Sequence, residues 1–199
     1  MIFCTTEKAA DRFGFPNDFG PQGNVVPITI SREASSPVNR WAADIFYFER
    51  RKCLMLCNYD SFFTLALLDL RKHEIDILGD FLAFSLLELY GDDKAMQKAI
   101  LEMFRKNPGL LFSRFDASKE QDRRMQAAVE GAIGFLAKDD GGLYRFAEED
   151  TIDPLAIAEF INFESVRINK VKGKEERIRP AERFRELVMA AYGGGKGRK

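Results

Sequence analysis

The sequence predicts an α+β protein with an N-terminal antiparallel meander sheet covered by helices from the C-terminal half. Residues 41–70, WAADIFYFERRKCLMLCNYDSFFTLALLDL, are the densest run of strand-forming residues in the chain, broken twice by polar reversals. Beyond residue 70 the apolar residues fall three or four apart, the spacing of a helical face. Strands first and helices afterwards is the order expected of α+β layers rather than of alternating α/β units.

Taken in order, Ile2–Thr5 reads as a short strand. Thr6 is placed to cap a helix through Ala9, Ala10 and Phe13 that stops at Gly14. Residues 14–39 collect Pro16, Gly20, Pro21, Gly23, Pro27 and Pro37 and read as a long excursion, a lid or a disordered loop, in which Val25–Ile30 can pair as an edge strand. The meander then runs through Trp41–Phe48, a reversal at Arg50-Arg51-Lys52, Cys53–Cys57, a turn at Asn58-Tyr59-Asp60, and Phe62–Leu68. Arg71–Tyr90 is helical by spacing, weakened at Gly79 and ended by Gly91. Asp92 or Asp93 caps a second helix with Met96, Ala99, Ile100, Met103 and Phe104 on one face, stopped by Asn107-Pro108-Gly109. Leu110–Phe115 reads as a strand, and Ser118 with Gln121 has capping-box spacing before a helix through Met125, Val129, Ile133 and Leu136. Leu143–Ala147 reads as a further strand, and Asp153-Pro154 opens a helix with Leu155, Ala158 and Ile161. Pro180 begins a last helix that docks through Phe184, Leu187, Val188 and Ala191.

Composition sets the organisation. The 199 residues are 46% hydrophobic, enough for one sizeable core, and carry a net charge of −1 that favours neither nucleic acid nor a membrane surface. The charge is unevenly placed: residues 163–199 hold 11 Lys and Arg against 5 Glu, while residues 1–162 hold 19 basic against 26 acidic. The chain therefore divides into an α+β body over 1–162, with the sheet core in 1–70 and the helical cover in 71–162, and a basic connector, terminal helix and flexible tail over 163–199. Three cysteines, all in expected strands, suit a reducing compartment rather than a disulfide framework. No leader pattern opens the sequence and no apolar run approaches the roughly 20 residues of a membrane span, so a cytoplasmic protein with no membrane partner is expected.

Cys4-Thr5, Lys8-Ala9-Ala10, Trp41, Arg50-Arg51-Lys52-Cys53-Leu54 and Asn58-Tyr59-Asp60-Ser61 together resemble a family of small bacterial proteins known as a domain of unknown function. The resemblance covers residues 1 to 90. It implies an architecture and a bacterial source, and it transfers no catalytic residue.

The candidate chemistry is sparse. On an extended strand Cys53 and Cys57 stand about 13 Å apart, too far to share one tetrahedral zinc, so buried thiols are expected and neither a metal site nor a cofactor is. His73, the only histidine, lies among Arg71, Lys72 and Glu74 and reads as a surface residue. Gly193–Gly197 lacks the spacing, the Ser or Thr and the following helix of a phosphate loop. Two function classes are left. One is a non-catalytic binding module that contacts a protein, a second copy of itself or a nucleic acid through Arg167, Lys170, Lys172, Lys174, Arg177, Arg179, Arg183 and Arg185. The alternative is a small hydrolase or metal-dependent enzyme using an acidic cluster near Asp60, Asp69, His73 and Asp76, with Asp80 one helical turn beyond. The absence of a nucleophile, base or phosphate motif favours the first.

Overall fold

The computed structural model describes residues 1–13, 36–71, 74, 77–138, 142–148, 151–171 and 174–194. The expected meander is present: β2 (Arg40–Phe48), β3 (Arg51–Asn58) and β4 (Thr64–Leu67) pair antiparallel in succession. The sheet then grows in a way that periodicity does not reveal. β1 (Ile2–Thr5) pairs parallel with β2 on one side and with β5 (Leu111–Arg114) on the other, giving the order β4-β3-β2-β1-β5.

Both faces of this sheet are covered, which is why β3 reads as continuously apolar instead of alternating. Phe3, Trp41, Ala43, Ile45, Leu54, Leu56 and Leu65 face one core. Against it pack α1 (Glu7–Phe13), α2 (Leu78–Leu89), α3 (Lys94–Lys106) and α6 (Pro180–Tyr192). Cys4, Ala42, Phe46, Cys53, Met55, Cys57 and Ala66 face the other core, built with Met125, Val129, Ala132 and Leu136 of α4 (Glu120–Lys138) and Ile157 of α5 (Pro154–Glu159). Trp41 lies wholly inside the first core, its ring 5.7 Å from that of Phe184, as core packing predicts. The last helix thus belongs to the same hydrophobic core as the first strands.

Local chemistry fixes the element ends. Thr6 Oγ1 accepts the Ala9 N–H at 3.2 Å and starts α1. Asp93 accepts from Ala95 and Met96 N–H to start α3, and Asp153 accepts from Leu155 N–H to start α5. The Asn58 side chain organises the β3–β4 turn, accepting from the Ser61 hydroxyl at 2.8 Å while donating to the Val38 and Arg40 carbonyls.

Several boundaries differ from the sequence reading. The β2–β3 reversal is at Glu49 and Arg50, both at positive φ, so Arg51 and Lys52 belong to β3. A two-residue hairpin loop needs that left-handed pair, and here charged residues supply it instead of Asn-Gly. α2 begins at Leu78, not Arg71. Ser118 donates its hydroxyl to Asp116, so a local aspartate turn, rather than a Ser118–Gln121 box, precedes α4. Gly142–Phe146 is a 3-10 turn, with only a two-residue bridge between β6 (Ala147–Glu148) and β7 (Thr151–Ile152). Residues 14–35, which hold most of the expected excursion, and 195–199, most of the expected tail, lie outside the described residues.

Candidate functional site

The basic stretch after residue 163 is a β-hairpin, β8 (Arg167–Val171) paired with β9 (Lys174–Ile178). Its two strands make a sheet of their own and do not join the five-stranded sheet. The register places Ile168 opposite Arg177, and Arg167 opposite Ile178. Residues facing each other across an antiparallel pair share a face, so the hairpin has an inner face with buried Ile178 and an outer face with exposed Ile168 and Arg177, and with exposed Glu175 two positions nearer the tip.

The eight predicted contact residues do not share one surface. Arg167, on the inner face, is half-buried and lines a cavity of about 190 Å³ with Cys57, Thr64 and Gly131, a cavity whose rim the largely exposed Ile168 also touches. Arg177 is exposed on the outer face. Arg179 and Arg183 pair with Glu182 and Glu186 one helical turn on, at 3.1 and 3.2 Å. Arg185 donates Nε to Asp93 Oδ2 at 2.7 Å, drawing that carboxylate down, after its bond from the Met96 N–H, below the usual range. Lys172 and the side chains of Lys170 and Lys174 lie outside the described residues.

A run of apolar residues leads into the hairpin, and sequence reading missed it. A π-helical turn, Phe160–Glu164, follows α5. Phe163 is 41% exposed, Val166 48% and Ile168 61%. Three large apolar residues within six positions lie open to solvent on the shoulder of a charged hairpin. The available signal was the alternation Val166, Ile168 beside polar neighbours, which a count of basic residues hides.

The described members of the acidic set, Asp60, Asp69 and Asp80, do not come together in one site. Asp60 lies in the turn before β4 and Asp69 follows it, so the strand separates them by about 13 Å or more. Burial raises the Asp60 carboxyl above its ordinary value, while the charges of Arg124, Arg183 and Arg40 pull the other way. Asp69 is exposed, 3.9 Å from the Arg51 guanidinium, and borders a cavity of about 400 Å³ lined by Cys53, Leu70, Phe81 and Ile152 that Asp60 does not reach. Asp80 is exposed on α2, and His73 and Asp76 lie outside the described residues. Among the described residues no cluster of His, Cys, Asp and Glu can hold a metal ion.

Among the described residues the most buried charged network lies elsewhere and is a fastening. Asp122 of α4 accepts from Arg40 at 2.8 Å, from the Tyr59 hydroxyl at 3.0 Å and from the Asp116 N–H at 3.0 Å. Arg40 also covers the Tyr59 ring at 4.3 Å. Burial and the neighbouring Cys4 push the Tyr59 hydroxyl far above its ordinary range, so it stays a neutral donor. Every oxygen of Asp122 is used, and the arrangement ties α4 to the ends of β2 and β3.

Fold and surface together define an α+β protein with a two-sided sheet and a self-paired basic hairpin on its flank. The chain belongs to the family described as Domain of unknown function (DUF6933), whose match spans residues 2–183 and so extends well past the first 90 residues, through the hairpin into α6. No curated protein matches the chain. Among the described residues no helix is long and apolar enough to cross a membrane.

Proposed function

We propose that this chain is a non-catalytic protein-interaction module whose contact surface is the Phe163–Ile178 shoulder and hairpin. The observation that carries the reading is the exposed run of Phe163, Val166 and Ile168 beside the exposed Arg177. Apolar residues at the centre of a patch with an arginine at its margin are the composition of a protein contact. Arg179, Arg183 and Arg185 follow the hairpin in the chain, each already paired with a carboxylate.

A nucleic-acid partner is the less favoured reading, for two physical reasons. Phosphate binding draws its free energy from unpaired cations, and Arg179, Arg183 and Arg185 already share carboxylates. A phosphate backbone also gains nothing from Ile168. Capture of partners by the tagged full chain in its native host, compared with Ile168→Asp and Arg177→Glu, tests the proposal. The variants are expected to lose the captured protein by about tenfold or more. An unchanged set of captured proteins in both variants, or capture abolished by nuclease, contradicts it.

A further inference from the structure

Beside the hairpin lies a slot of about 560 Å³ where the α2–α3 connection meets α5. Its walls carry Glu88, Asp92, Asp93 and Glu159, with Leu155 and Phe163 as apolar lining. Asp93 already holds the Arg185 guanidinium, so the edge of the slot accepts an arginine within this chain. Glu88, Asp92 and Glu159 are exposed and make no ion pair among the described residues.

We infer that the occupant of this slot is the outer face of the β8–β9 hairpin of a second copy of the chain, in a reciprocal two-fold dimer. The inference rests on the reading of the hairpin as a protein-binding surface and names its partner. Ile168 and Arg177 face each other across the hairpin and project together. They complement the slot in kind, an apolar residue for Phe163 and Leu155, a guanidinium for the carboxylates of Glu88, Asp92 and Glu159.

Two features select a second copy over an unrelated partner. First, donor and acceptor adjoin: Phe163, a wall of the slot, precedes Arg167 by four residues. A surface with socket and plug side by side is self-complementary about a two-fold axis, each copy giving and receiving the same contact. Second, the chain separates its charge internally while summing to −1. A partner surface of one sign laid over both features is repelled by one of them, and a duplex on the hairpin brings phosphates toward the slot's carboxylates.

Sedimentation equilibrium of the full chain at low and high salt tests this with Arg177→Glu, Glu159→Arg and an equimolar mixture of the two. Both sites are exposed, so folding is checked by circular dichroism and thermal melting, which should match the parent. The parent is expected to dimerise, less tightly at high salt. Each variant alone should weaken association by about tenfold or more, and the mixture should restore it, because in the mixed dimer one contact pairs the two reversed charges with each other and the other keeps the parent pair. A monomeric parent, or variants that dimerise like the parent, or loss without rescue on mixing, overturns the inference. Should the parent be monomeric while Ile168→Asp still loses a captured host protein, the hairpin remains a protein contact and only the second copy is excluded. Should it be monomeric and bind a DNA or RNA oligonucleotide through Arg177, both readings fail.

Discussion

Cys57 shows how far burial alone can move a group. It lies inside the sheet facing α4, and burial pushes its thiol up to about 11, against a hydrogen bond from Thr64 Oγ1 and the charge of Arg167 that favour the thiolate. The folded thiol therefore holds its proton above the pH where the unfolded chain, titrating near 9.0, has lost it. The stability associated with Cys57 is present below that unfolded value and is lost as pH rises toward 11, by about 3 kcal/mol in full. Urea unfolding of the parent and of Cys57→Ala, at about pH 8 and about pH 10.5, should show a steeper loss in the parent by about 2 kcal/mol. Equal pH dependence in the two proteins removes Cys57 from the account. The sequence already suggested a buried thiol from the strand position, but not the cavity on which it borders.

At the scale of elements, the open edge of β4 is closed by a side chain. Asn162, in the π-helical turn after α5, accepts the Thr64 N–H and donates to the Thr64 carbonyl, both at 2.7 Å, and donates also to the Ala158 carbonyl. Its amide thus stands where a neighbouring strand would place a peptide group, and it is wholly buried. An unpaired strand edge invites pairing with another chain, and this arrangement removes the invitation. Asn162→Ala leaves a buried donor and acceptor on Thr64 without partners and should cost about 3 kcal/mol, read from denaturant unfolding. It should also raise the exchange rate of the Thr64 amide hydrogen. A loss of under about 0.5 kcal/mol with unchanged exchange contradicts the role assigned to it. α6 is fastened by the same kind of chemistry, with the Tyr192 hydroxyl accepting from Asn39 at 2.6 Å and Asn107 at 3.1 Å.

For the whole molecule, what the sequence made legible follows from the range of the interactions. The meander, the caps at Thr6, Asp93 and Asp153, and the stripe of α3 depend on neighbours within a few residues, and each was readable. The parallel pairing of β1 with β5 joins residues 109 apart in the chain, and no local period encodes it. The hairpin was hidden for another reason: its strands alternate between few apolar residues and many charged ones, so composition reads as a connector. The eight basic residues were visible as a segment but not as surfaces. Pairing register turns Arg167 inward and Arg177 outward, and nearby acids absorb Arg179, Arg183 and Arg185. The proposed contact rests on that sorting, which leaves Phe163, Val166, Ile168 and Arg177 exposed, with Glu175 and Glu176 exposed beside them on the hairpin.

The most direct test of the central claim is a photoreactive amino acid placed at Ile168 of the full chain in its native host, with a second chain labelled at Leu101. Both positions are exposed, at 61% and 55%, and Leu101 lies on α3, outside the proposed contact residues. The interaction-module account predicts discrete protein adducts from position 168 on irradiation, a second copy of the chain among them, and none of these from position 101. Adducts to nucleic acid alone, the same adducts from both positions, or no adduct from position 168 contradict it.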